Sequence, residues 1–347
     1  MPAMIPLKQG SLHINWQKEL AQAFTTPERL LEYLDIDAAP WQAGLAARRL
    51  FPMRVPRPFA DKMQRGNAQD PLLRQVLPLG EEFEEVPGFV TDPLAEHDST
   101  LPGLLHKYRS RVLLMVRGGC AVNCRYCFRR HFPYADNSPN KEGWQQALDY
   151  IKAHPELNEV ILSGGDPLMA KDEHLASLIS ELEQIPHLIR LRIHTRLPVV
   201  IPNRLTDELR QRLSDSRLQA IMVLHINHAN EIDEHLSTLL NSWRTAGITL
   251  LNQSVLLAGI NDSAATLSAL SEQLFAAGIL PYYLHQLDKV AGAAHFAVSD
   301  LHAKALMAEL LAELPGFLVP KLVREIGGEH SKTPIDLSLA HLTRSGS

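Results

Sequence analysis

From Arg111 onward the chain alternates a short apolar run with a longer stretch of helical spacing, six times over. The apolar runs begin near Arg111, Glu159, Leu188, Leu218, Ile248 and Ile279; they read RVLLMV, EVILSGG, LIRLRIHT, LQAIMVLHIN, ITLLNQSVLL and ILPYYLHQ. Helical stretches separate them: Lys141 to His154, Asp172 to Ile185, Thr206 to Leu213, Glu231 to Ala246 and Ala264 to Ala277, with a last one from Leu301 to Leu314. After the first run the repeat is roughly thirty residues, the length of a βαβ unit. Consecutive units of this kind form a parallel sheet with helices outside it. Six do not close an eight-fold barrel, so the expected fold is α/β, a partial six-stranded barrel.

In parallel α/β folds the chemistry gathers at the C-terminal ends of the strands. The unusual residues of this chain lie there. A cysteine-rich loop follows the first run and Ser163-Gly164-Gly165-Asp166-Pro167 the second; His194-Thr195-Arg196 follows the third. His225, Asn227, His228 and Asn230 follow the fourth, Gln253 and Ser254 end the fifth, and His285 and Asp288 end the sixth. The cysteine loop is the sharpest of these. GGCAVNCRYCFRRH holds Cys120, Cys124 and Cys127, all the cysteines in 347 residues. Three thiols this close can share one soft metal centre. A closed structural zinc site takes a fourth Cys or His, and His131 could supply it. A disulfide reading is weaker, because the count is odd and nothing marks the chain as secreted. An iron–sulfur cluster fits better. Ferredoxin-type cubanes use four thiolates, so three leave one iron open to a small molecule. Arg125, Arg129, Arg130 and His131 put positive charge beside it.

Residues 1 to about 105 lack strong strand patterns. Asn15 to Phe24 and Thr26 to Leu34 read as short amphipathic helices, with Thr26 as N-cap and Pro27 at the first helical position. FPMRVPRPFADKM and DPLLRQVLP carry prolines that interrupt any long element. Glu81 to Pro102 is acidic and turn-rich. The region reads as a helical cap or arm that covers one barrel end, or else as a dimer contact. Composition adds exclusions. A formal net charge of -5 argues against general nucleic-acid binding. No apolar run approaches membrane-spanning length, and the N-terminus lacks a signal-peptide core; a reducing cytoplasm is the expectation.

C-x3-C-x2-C followed by an aromatic residue and then Arg resembles the signature of the radical S-adenosylmethionine (SAM) enzymes. The longer text LLHKYRSRVLLMVRGGCAVNCRYCFRRHFPY resembles the lysine 2,3-aminomutase family, and within it the branch that makes β-lysine for elongation factor P. The resemblance runs from about Phe51 to Pro334. It implies a partial radical SAM barrel over 106–315, an N-terminal helical region over 1–105, and a C-terminal segment binding pyridoxal phosphate (PLP) over 316–347. It also implies a 4Fe–4S cluster on the three cysteines and SAM on its open iron. Gly164, Gly165 and Asp166, with His225 and Gln253, match positions near SAM.

In that family a glycine-rich segment ends in the lysine that carries PLP, followed by Thr-Pro. Lys332-Thr333-Pro334 matches, although Gly327-Gly328-Glu329-His330-Ser331 stands where catabolic members have a nearly all-glycine run. Lys107, Tyr108 and Arg111 match positions near the PLP phosphate. Arg129 matches the arginine that binds the substrate carboxylate. Asp288 and Glu325 match the pair of carboxylates that hold the lysine ε-ammonium, with Glu325 in place of an aspartate. The implied activity is isomerisation of L-α-lysine to (R)-β-lysine, handed to a ligase that attaches it to elongation factor P, with a homo-oligomer as the expected assembly. The alternatives are a catabolic lysine 2,3-aminomutase or an aminomutase for another amino acid; outside these, a radical SAM protein without PLP or an iron–sulfur electron carrier.

Overall fold

The computed structural model describes residues 15–41, 44, 52–97, 101–134 and 141–337. Residues 1–14 of the expected cap, Phe51 and the tail 338–347 lie outside the described residues. One sheet of nine strands runs through the molecule in sequence order. Its centre is the six expected strands: β2 (Arg111–Arg117), β3 (Glu159–Gly164), β4 (Arg190–Thr195), β5 (Gln219–Leu224), β6 (Thr249–Val255) and β7 (Leu280–His285). Each pairs in parallel with the next. At one edge β1 (Leu104–Tyr108) folds back antiparallel on β2. At the other, β8 (Lys321–Arg324) adds one more parallel strand, and β9 (Thr333–Pro334) turns back on it.

The connecting helices are α3 (Lys141–Ala153), α4 (Asp172–Glu183), α5 (Asp207–Ser214), α6 (Glu234–Thr245) and α7 (Ala264–Ala276), and α8 (Asp300–Glu313) leads to β8. Four of them start at a side-chain cap that accepts a backbone N–H of the first turn: Thr206, Asp233, Ser263 and Ser299. Each cap contributes about 1 kcal/mol. The helices bury one apolar face each, such as Leu175, Leu178, Ile179 and Leu182 of α4. The expected helix from Glu231 begins three residues later, after a 3-10 turn over Ala229–Glu231.

Ahead of the sheet, α1 (Trp16–Ala21) is capped by Asn15. In α2 (Pro27–Tyr33) Thr26 holds the N-cap position but makes no side-chain cap bond. Trp16, Leu30, Leu31, Phe59 and Leu73 pack into the same apolar core as the strands and helices of the barrel. No helix of the described residues is long and apolar enough to cross a membrane.

The inner faces of the strands decide what the barrel is for. In a closed eight-fold barrel the interior is filled by layers of bulky apolar side chains. Here β4 alternates: Leu191, Ile193 and Thr195 are buried, while Arg190, Arg192 and His194 line an internal cavity. In β6 the lining residues are Leu251, Gln253 and Val255, and in β7 Tyr282, Tyr283 and His285. The interior is therefore hollow, with a volume of about 1230 Å³. At its lower end Glu159 joins Arg190 (3.1 Å) and Arg192 in an ion cluster.

Candidate active site

Every residue that the family resemblance marks as a ligand lines this one cavity: the three cysteines, Lys107, Tyr108, Arg111, Arg129, the Gly164–Asp166 loop, His225, Gln253, Asp288, Glu325 and Lys332. Single-ligand pockets are typically about 300–1,000 Å³, so the space suits two organic groups side by side.

The cysteine loop leaves β2 and is pinned from outside. Arg54 donates to the Cys120 carbonyl (2.9 Å). The buried Arg125 reaches Glu82, Glu81 (2.8 Å) and the Arg74 carbonyl (3.0 Å). Arg130 donates to the carbonyls of Arg125 (3.2 Å) and Gly292 (2.9 Å). These two arginines thus shape the loop. His131 is exposed, lies 3.4 Å from the Ala291 carbonyl and does not line the cavity, so it is not placed as a fourth ligand. Among the described residues no three Cys, His, Asp or Glu side chains converge on a single-ion site. A cluster of several irons gives each thiolate its own iron, and the three free thiols fit that. Burial, then the neighbouring thiols, push the Cys120 and Cys127 thiols up, Cys127 to about 11. Iron binding reverses this, because a coordinating thiol is deprotonated outright.

The SGGD loop packs on the cysteine loop. Gly165 N donates to the Arg117 carbonyl (2.7 Å) and Asp166 N to the Gly119 carbonyl (3.0 Å). A Cβ on Gly165 would stand 2.6 Å from the Gly119 oxygen, and one on Gly164, at φ 124, 2.4 Å from the Arg117 oxygen. The close approach that needs glycine at both positions is therefore between the two loops. Asp166 is buried and braces the same corner. Its carboxylate accepts from Leu168 N (3.0 Å), Thr195 Oγ1 (2.8 Å), Arg196 N (2.8 Å) and Leu197 N (2.9 Å).

Opposite the cysteines, Lys332 stands just before β9 and donates to Glu325 (2.5 Å) at the end of β8. Tyr108 of β1 donates to the other Glu325 oxygen (3.1 Å), so this carboxylate links the two edges of the open sheet. Burial alone would raise Glu325, but Lys332 and Lys107 outweigh it and hold it below the usual range. Asp288 is pushed up to about 7, by burial and then by Glu325. Among the described residues its carboxylate receives no hydrogen bond. Arg111 stacks on the Tyr108 ring (3.9 Å) and, among the described residues, bonds no acceptor.

Arg129 is buried with its fork on Glu96, Nε at 2.7 Å and Nη2 at 3.2 Å, and Nη1 on Ser163 Oγ (3.1 Å). Lys107 donates to the same Glu96 (2.7 Å). Glu96 was not legible: it lies in the turn-rich stretch, beside Ala95 at φ 51, and only the fold brings it here. The cavity wall is completed by three histidines, His285 buried and His194 and His225 half-buried. Gln253 donates to His225 Nε2 (3.0 Å), while Gln253 Oε1, His194 Nε2 and His285 Nε2 are buried without partners. Burial lowers all three histidines, His225 to about 3, so they are neutral. Unpartnered buried polar atoms are rare in folded proteins, and these three lie on residues that line the cavity.

A family model of the radical SAM superfamily matches residues 115–262. The L-lysine 2,3-aminomutase of Escherichia coli strain K12 is 60% identical over 94% of this chain and 95% of its own length. That of Haemophilus influenzae is 57% identical over 92% and 95%, and that of Clostridium subterminale 33% identical over 92% and 77%. The chain belongs to the lysine 2,3-aminomutase family. As a radical SAM aminomutase it is an isomerase that uses a 4Fe–4S cluster and SAM. The donor set at the mouth of the barrel fits both: three thiols on one loop for the cluster, and beside them the polar SGGD loop, His225 and Gln253 where SAM would lie. At the far side, an amine on Lys332 and an uncommitted guanidinium on Arg111 fit PLP.

Proposed function

We propose that the enzyme converts L-α-lysine to (R)-β-lysine with PLP carried on Lys332, and that the product goes to a ligase that attaches it to elongation factor P. One observation carries the catalytic half. Lys332, two carboxylates and Arg129 share a cavity with the cluster cysteines. In this reading Cys120, Cys124 and Cys127 hold the cluster, and the SGGD loop, His225 and Gln253 hold SAM. Arg111, Lys107 and Tyr108 hold the PLP phosphate. Arg129 binds the substrate carboxylate by its fork, with Glu96 as the counter-ion it exchanges. Asp288, with Glu325, takes the ε-ammonium. PLP supplies the π system through which nitrogen passes from Cα to Cβ, and SAM with the cluster supplies the radical. The chain's part is to hold both reactants in one enclosed space. Paired carboxylates at the distal end favour a cationic side chain over an acidic one.

Borohydride reduction of anaerobically purified protein, followed by peptide mapping, labels Lys332, and the untreated protein forms β-lysine from L-lysine. Label elsewhere with Lys332→Ala fully active defeats the PLP assignment. The elongation-factor half rests on the resemblance of the FRRHFPY text and of the Gly327–Ser331 loop. Deleting the gene leaves elongation factor P unmodified by mass, and added (R)-β-lysine restores it. Normal modification in the deletion strain favours the catabolic role instead.

A further inference from the structure

Arg196 follows β4 and runs back beneath the cysteine loop. Its backbone N–H is held by Asp166 (2.8 Å). Its Nη1 lies 2.9 Å from Cys124 Sγ and also bonds the Tyr126 hydroxyl. Its Nη2 donates to Gln75 Oε1 (2.8 Å) and Glu231 Oε2 (2.9 Å). Glu231 is fully buried, and its other oxygen accepts from Asn227 N (2.9 Å), His228 N (3.1 Å) and Gln75 Nε2 (3.3 Å). The Phe59 ring closes the far side, 5.6 Å from the guanidinium carbon. Arg196 is a fixed cation, since a guanidinium is not deprotonated in proteins.

Two features go beyond structural bracing. The hydrogen bond ends on the sulfur of one cysteine; among the described residues no other guanidinium donates to a cysteine sulfur. Arg196 Nε is also buried without an acceptor, an N–H aimed where the bracing residues do not reach. Hydrogen bonds to cluster sulfurs, local charge and solvent exclusion set the potentials of iron–sulfur centres. Charge-assisted bonds are about twice as strong as neutral ones.

We propose that Arg196 is a positioning residue that sets the reduction potential of the cluster through Cys124, with Glu231 and Gln75 fixing the direction of its fork. In the priming step an external reductant, dithionite in the assay, gives up one electron, and the cluster passes from its 2+ to its 1+ state. The added negative charge is shared by the thiolates and is stabilised by the fixed cation. The inference rests on Cys124 being a cluster ligand.

The test is a redox titration of reconstituted holoenzyme, following the electron paramagnetic resonance signal of the reduced cluster, with iron and sulfide measured alongside. In Arg196→Met the midpoint moves to more negative potential, so at a fixed dithionite poise the reduced fraction falls several-fold. Arg196→Lys keeps a charge but loses the fork, and its midpoint falls between the two. The titration reads only clusters that are present, so partial loading does not obscure it. A wild-type midpoint in either variant overturns the proposal. If Cys124→Ala keeps full iron and the wild-type midpoint, the ligand assignment itself fails, which separates the two errors.

Discussion

Asp288 offers a sharp test of how this cavity selects its substrate. Its carboxyl titrates near 7 instead of 3.8. At 1.36 kcal/mol per pH unit, ionising it in the empty cavity costs about 4 kcal/mol more than in water. A docked ε-ammonium removes that cost, so lysine binds the ionised form. About nine tenths of Asp288 is ionised at pH 8 and about a tenth at pH 6. Lysine affinity therefore falls about tenfold between pH 8 and pH 6, and binding at pH 6 releases close to one proton. The ε-ammonium and the α-carboxyl of lysine keep their charge in this window, and any proton lost by its α-amino group on meeting PLP is common to wild type and Asp288→Asn, so the difference between the two isolates the Asp288 proton. The assay is calorimetric titration of the anaerobic holoenzyme in two buffers of different ionisation heat. Asp288→Asn loses the proton release and weakens lysine by about 2–5 kcal/mol, since it leaves a buried ammonium without its partner.

Stability runs the other way. A carboxyl raised in the folded state costs stability as pH rises from about 4 through 7, so unliganded Asp288→Asn melts above wild type at pH 8 and level with it at pH 4. Lysine affinity that is flat from pH 6 to 8, with no buffer-dependent heat, refutes the reasoning.

Two further outcomes follow from the loop geometry. Gly165→Ala forces its Cβ to 2.6 Å from the Gly119 oxygen; overpacking of this kind costs about 1–3 kcal/mol, and because Gly119 leads into Cys120 the variant also binds less iron, read by thermal melting and iron assay. Replacing Cys120, Cys124 or Cys127 by Ala abolishes SAM cleavage, and a triple variant that keeps iron, sulfide and activity rules out the cluster assignment.

The barrel was legible because each βα unit repeats a periodic apolar pattern over roughly thirty residues. Its edges were not. β8 has only Leu322 and Val323 buried between Lys321 and Arg324, too short a run to read as a strand. β9 is two residues long. β1 begins where the cap was expected to end. The site followed the same division. Cys120, Cys124, Cys127 and Lys332 stand in local text with recognisable spacing. Glu96 and Glu231 stand in none. The contacts that bring them to the site are with residues 33 and 35 positions away, Arg129 and Arg196, and no local pattern encodes a contact of that range. Arg196 was visible only as part of a polar loop; its bond to Cys124, 72 positions away, exists only once the barrel has folded.

The alternation along β4 and β6 has a consequence for how this protein can change. Leu191 and Ile193 answer to the packing of the helices outside, while Arg190, Arg192 and His194 answer to what the cavity must hold. Bulky apolar replacements on the inner set would add buried surface and erase the hollow. Sequence drift and laboratory thermostabilisation are therefore confined to alternate residues of the same strands, and any gain in robustness has to come from the outer layer.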